Sequence, residues 1–154
     1  MSGFIATAPT PPEADITSDA FWPAVSPDTV RNTMRLDGTV SAERLREALV
    51  AAVSTINDQL ADWQATQMAA GAATLADVPA KQIDSESRLV RLYRRAVACC
   101  AVADIAEQYR SFDATNSGNE RADMLQPSVD ELRRNQRWAI RDFLGLGRVT
   151  VELI

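Results

Sequence analysis

Leu45, Leu49, Ala52, Val53, Ile56, Leu60 and Trp63 recur at steps of three and four. That spacing returns to one side of an α-helix, so it predicts a helix of about five turns with a single apolar stripe. Thr39 or Ser41 can cap it, Glu43 suits its first turn, and Gly71 ends it. A second run passes through Leu89, Leu92, Tyr93, Ala96, Val97, Cys99, Cys100, Ala103, Ala106 and Tyr109, and is expected to start near Asp84-Ser85-Glu86. Residues 96–106 are small and apolar on nearly all sides, which fits a helix buried on more than one face at the centre of a bundle. Ser26-Pro27-Asp28 has the hydroxyl, proline and acid of a helix start and predicts a short helix to about Leu36, stopped by Asp37-Gly38. A last helix takes Met124 or Leu125, Val129, Leu132, Trp138 or Ala139, Ile140 and Phe143, with Pro127 near its start and Gly145-Leu146-Gly147 at its end. Residues 72–83 and 115–119 read as loops. The fold class is all-α: a bundle of about four helices.

The two ends differ from this body. Five of the seven prolines lie within the first 27 residues, so residues 1–25 read as an extended arm, 26–147 as the helical bundle and 148–154 as a separate tail. Phe21-Trp22-Pro23 puts two large aromatics in an acidic stretch, and they need something to bury against. Either they fold back on their own helices or they anchor the chain to another subunit. Arg148, Val149, Thr150, Val151, Glu152, Leu153 and Ile154 are rich in β-branched residues and follow two glycines. They suit a short strand, and a lone strand is not stable by itself. It either pairs with another chain by strand addition or lies as a tail on the bundle.

Charge sharpens the division. The formal net charge is −5, from 16 basic and 21 acidic residues, but residues 1–30 hold four acids and no base. The remainder is nearly neutral and its bases are arginines apart from Lys81. There is no histidine, which excludes a Ser-His-Asp triad, a Cys-His pair and His-ligated zinc. Cys99 and Cys100 are adjacent, poorly placed to bond to each other, and read as small residues on the inner side of a helix. No catalytic group, metal site or cofactor is expected. No apolar run is long enough to span a membrane, and the N-terminus lacks the pattern of a secretory signal, so synthesis in a cytosol-like compartment is expected.

Arginines are the remaining candidates. Arg88, Arg91, Arg94 and Arg95 fall within two turns of the third helix, and Arg133, Arg137 and Arg141 recur every four residues on the fourth, beside Arg134. Their forks suit carboxylates and phosphates. They read as solvated faces with local pairs such as Asp130–Arg134, as contacts with acidic protein surfaces, or as phosphate contacts. Asp104, on an apolar stretch, is expected to pair with an arginine or face the edge of the bundle. One alternative is a small all-α enzyme or regulatory protein that holds an anionic ligand through these arginines.

Several stretches together resemble one family. These are Phe21-Trp22-Pro23 followed by Val30-Arg31 and Met34-Arg35-Leu36, the run VSAERLREA at 40–48, AAGAATLADVP at 69–79, and IDSES at 83–87. YRRAVA at 93–98, Tyr109-Arg110 with Asp113-Ala114, and Asp130-Glu131-Leu132 through Trp138-Ala139 continue the match. In this order the chain, over about residues 20–154, resembles the head completion/stabilisation (GPL) proteins of contractile-tailed bacteriophages. The resemblance implies a structural, non-enzymatic virion protein of the head–tail neck, made in the host cytoplasm. It further implies a ring-forming adaptor, usually of twelve copies, between the portal protein and a tail terminator or other neck protein, with passive contact to genomic DNA. Residues 148–154 would then dock on the portal or a neighbour, Phe21 and Trp22 would anchor between subunits, and Arg88, Arg91, Arg95, Arg133, Arg137 and Arg141 would carry inter-subunit or channel charge.

Overall fold

The computed structural model describes residues 12–36, 38–112 and 128–147, with the helical backbone alone at 109–112. Among these residues are four helices: α1 (Pro27–Thr33), α2 (Ala42–Ala69), α3 (Arg88–Phe112) and α4 (Val129–Phe143). A 3-10 turn at Leu75–Asp77 and a two-stranded antiparallel hairpin, β1 (Gln82–Ile83) and β2 (Glu86–Ser87), join α2 to α3. The chain is mainly α, as its periodicity predicts.

The central helix is α3, which packs on both α2 and α4. Every residue from 96 to 103 is buried, so alanine and cysteine let both neighbours approach closely. From α2, Leu45, Leu49, Ala52, Val53, Ile56 and Leu60 enter the core, which is the stripe read from the sequence. From α4, Leu132, Ala139 and Phe143 do the same.

The starts of α1, α2 and α4 are each capped by a serine. The hydroxyls of Ser26, Ser41 and Ser128 accept from the backbone N–H of Thr29, Arg44 and Glu131, and Glu131 returns the favour by accepting the Ser128 N–H at 2.8 Å. The ends share one geometry. In α2 the N–H of Gly71 donates to Met68 O and that of Ala72 to Gln67 O, with Gly71 at φ +101°. The same pair of bonds closes α4 at Gly145 and α1 at Arg35.

Three boundaries differ from expectation. α1 stops at Thr33 rather than near Leu36, because Arg35 takes φ +54° and closes the helix in the role usually filled by glycine. α3 begins at Arg88 rather than at 84–86. Asp84 and Ser85 have φ +52° and +60° and turn the hairpin, a left-handed pair that Asn-Gly signals more plainly than Asp-Ser. α4 begins at Val129 behind its serine cap; Met124, Leu125 and Pro127 lie outside the described residues.

Residues 12–25 are not an extended arm. Ile16 and Val25 exchange backbone hydrogen bonds of 2.8 and 2.9 Å, folding the chain between them into a loop over α2 and α3. Side chains stitch it down: Arg31 pairs with Glu13 at 3.2 Å, Arg46 donates to Ala14 O, and Asn57 donates to Ser18. Residues 1–11 lie outside the described part.

Candidate interaction site

The aromatic pair is the first feature to place. Phe21 is 3% exposed and Trp22 5%, both in the protomer's own core. Asp19 accepts the Phe21 N–H at 2.9 Å, the Phe21 carbonyl accepts from Leu75 N at 2.8 Å, and the chain turns inward between these bonds. Trp22 then stacks on Tyr93 with ring centroids 4.8 Å apart, and Phe21 meets Trp22 edge-on at 5.0 Å. Trp63 and Phe143 complete the cluster at 4.6 Å. The expected inter-subunit anchor at Phe21 and Trp22 is therefore corrected. The rings close the core over α3, and removing them to reach a neighbour would open it. Tyr93 donates its hydroxyl to Asn57 at 2.8 Å, and burial, helped by the charge of Asp19, holds its phenol well above the usual range.

The arginines fall into several settings. Arg133 joins α4 to α3: one fork nitrogen lies 2.5 Å from Asp104 and 2.8 Å from Glu107, and Nε donates to Glu107 at 3.1 Å. Hydrogen bonds donated to Glu107 and then to Asp104, with both carboxylate charges, raise its pKa above the usual guanidinium range against the opposing effect of partial burial. Asp104 thus has the arginine partner expected for it; Glu107 carries no such signal in the sequence, because the pair joins residues 26 apart. Next, Arg88 donates to Asp142 O at 3.4 Å and Arg141 to Gly147 O, so both hold backbone at the same end of the bundle. Arg91 and Arg94 both grip Glu86 of the hairpin, Arg91 also reaches Asp84, and Arg94 donates to Ala24 O. On α4, Arg134 lies over Trp138 and its nearest described carboxylate is Glu131 at 3.9 Å, not Asp130.

Arg95 and Arg137 stand apart: both are exposed, and none of the described ion pairs includes either. Arg95 sits on the rim of an open groove of about 570 Å3 between α1, α3 and α4. Val30, Met34 and Ala98 supply apolar surface there, and Arg91 and Arg94 share its wall with Arg95. Cys99 borders it too. Burial raises the Cys99 thiol, Arg95 opposing it in part, and burial likewise raises Cys100. Both thiols are buried and unbonded to each other, as their helical setting predicts. Residues Arg148 to Ile154 lie outside the described residues, so their expected docking role stays an expectation.

Comparison with known proteins supplies the class that a helical bundle without a recognisable catalytic arrangement leaves open. Residues 16–154 match the family model for the phage head completion protein (GPL). The chain is also similar to the head completion/stabilization protein of Escherichia phage P2, with 41% identity over 142 residues, 92% of this chain and 84% of that one. No solved structure matches. The chain belongs to the phage head completion protein (GPL) family, a family of structural phage proteins and not of enzymes.

Proposed function

We propose that this chain completes and stabilises the DNA-filled head as a ring-forming adaptor in the neck, between the portal protein and the tail. The observation that carries the reading is the family match over nearly the whole chain. In this reading twelve copies stand side by side below the portal, a tail terminator or other neck protein binds from the far side, and DNA passes through without being gripped. The charges support passive contact. Arg133 meets two carboxylates, and Arg91 and Arg94 share Glu86, so these three arginines are less available to phosphates. The same pairings weigh against a small-anion site built on Arg88, Arg91, Arg133 and Arg141.

In this reading residues Arg148 to Ile154, whose composition suits a strand, dock on the portal or a neighbouring copy by strand addition. Deleting 148–154 tests this. Loss of attachment to portal-bearing heads by a chain that still folds is the expected result; unchanged attachment contradicts the docking role.

A further inference from the structure

The outward face of α2 is unusual for a helix surface. Glu47, Val50, Ser54, Asp58, Ala61, Ala65 and Met68 follow one another at steps of three and four, so they form one ridge, and all are exposed. Val50 and Met68 are 46% and 52% exposed, two of the four large apolar side chains left open among the described residues. Between them the ridge is small-residued and acidic. No lysine or arginine occurs from residue 47 to residue 80, while Glu47, Asp58, Asp62 and Asp77 do. None of the described ion pairs includes Asp58 or Asp62. The N-terminal loop bonds to Arg46, Asn57 and Gln64 along one edge of α2 and leaves this ridge uncovered by described residues.

The groove between α1, α3 and α4 has the complementary character. Its surface is apolar through Val30, Met34 and Ala98; Arg91 and Arg94 on its wall are already paired with Glu86, Asp15 lies on it too, and Arg95 is the arginine it leaves outside the described ion pairs. Arg95 has no carboxylate partner among the described ion pairs. Across residues 87–103 the sequence has four arginines and no acid. No residue of α2 lines the groove, so the ridge and the groove are separate surfaces of the protomer.

We infer that the α2 ridge of one copy docks in the arginine-rimmed groove of a second copy, with Asp58 and Asp62 facing Arg95. A helix laid in an apolar groove supplies the contact area, and the charges set its register. The two surfaces differ, so the contact is head-to-tail, and repetition closes a ring when the rotation per step allows. The inference builds on the reading above, in which copies stand side by side, and adds which surfaces meet.

Charge reversal of the full chain provides the test. Arg95→Glu and Asp62→Arg each alter an exposed side chain outside the described ion pairs, so both variants should fold with unchanged circular dichroism and melting. Each should weaken self-association at least about tenfold, measured by sedimentation equilibrium, because each sets like charges face to face. The double variant R95E/D62R should regain part of the wild-type association, since the arginine introduced at position 62 then faces the glutamate introduced at position 95 and Asp58 is left as the one like-charged neighbour. Mixing the two single variants should restore association beyond two copies, because both cross-pairings, Asp62 with Arg95 and the introduced arginine with the introduced glutamate, join opposite charges. Single variants that associate as well as the wild type, a double variant without recovery, or a wild-type chain that stays monomeric at the highest attainable concentration would each overturn the inference. A charge swap that succeeds while the head-attachment assay fails would fault the adaptor reading and leave the interface standing.

Discussion

The two helices that flank α3 handle charge in opposite ways. α4 engages several of its charges within the protomer: Arg133 meets Asp104 and Glu107 of α3, Glu131 closes its own cap, and Arg141 holds Gly147, while Arg137 stays exposed. α2 contributes the long apolar stripe and a nearly unpaired outer face, with Asp58 and Asp62 outside every described ion pair and Val50 and Met68 open to solvent. The difference separates fold from contact. Charges that already have partners hold the bundle together, and charges left over beside exposed apolar surface are the ones available to another chain.

The comparison can be broken at its strongest point first. Trp22 sits where both flanks meet, against Tyr93 of α3 and near Phe143 of α4. Trp22→Ala should cost about 3–5 kcal/mol in urea unfolding, as large core truncations do. A loss below about 1 kcal/mol would return Trp22 to the role of an external anchor. Arg133→Met comes next. It leaves Asp104 and Glu107 side by side without their cation, and should cost about 1–2 kcal/mol, less than a deeply buried pair because all three groups keep some solvent. Ser128→Ala removes one half of the α4 capping box and should cost about 1 kcal/mol. Asp58→Asn and Asp62→Asn should move stability by no more than about 0.5 kcal/mol while weakening self-association. If they destabilise the protomer as much as Arg133→Met does, the contrast between the flanks disappears.

The pH dependence follows from groups that burial keeps protonated. Cys99, Cys100 and Tyr93 all have folded pKa values above their ordinary ones. Their contribution is fully present below the unfolded values and is lost as pH rises, because the unfolded chain releases protons that the folded chain retains. Stability should therefore decline above about pH 8.5, where free thiols ionise, and more steeply above about pH 10, where free phenols do. Guanidinium melts across that range check the sign, and stability that rises with alkalinity would contradict it.

Much of this was legible beforehand, for physical reasons that differ by element. The α2 stripe and the all-round apolarity of 96–103 are direct consequences of helical periodicity. Ser26, Ser41 and Gly71 mark their boundaries because capping chemistry is local. The hairpin at Asp84-Ser85 was not visible, since both residues adopt left-handed backbone that neither prefers. The fold-back of Phe21 and Trp22 depends on the Ile16–Val25 bridge and on a stacking partner 71 residues away from Trp22, and local pattern carries no such information. The arginines show the same limit. Spacing predicted Asp130–Arg134 within one helix, whereas the close ion pairs of α4 reach across to Asp104 and Glu107. Which arginine stays available, Arg95 rather than Arg133, emerges only once the helices are packed.

The most direct measurement is electron microscopy of DNA-filled, tail-less heads with and without the purified chain. The account predicts a closed ring of added density below the portal, with neighbouring protomers joined through the α2 ridge and the groove between α1, α3 and α4. Density elsewhere on the head, or none at the portal, would contradict it.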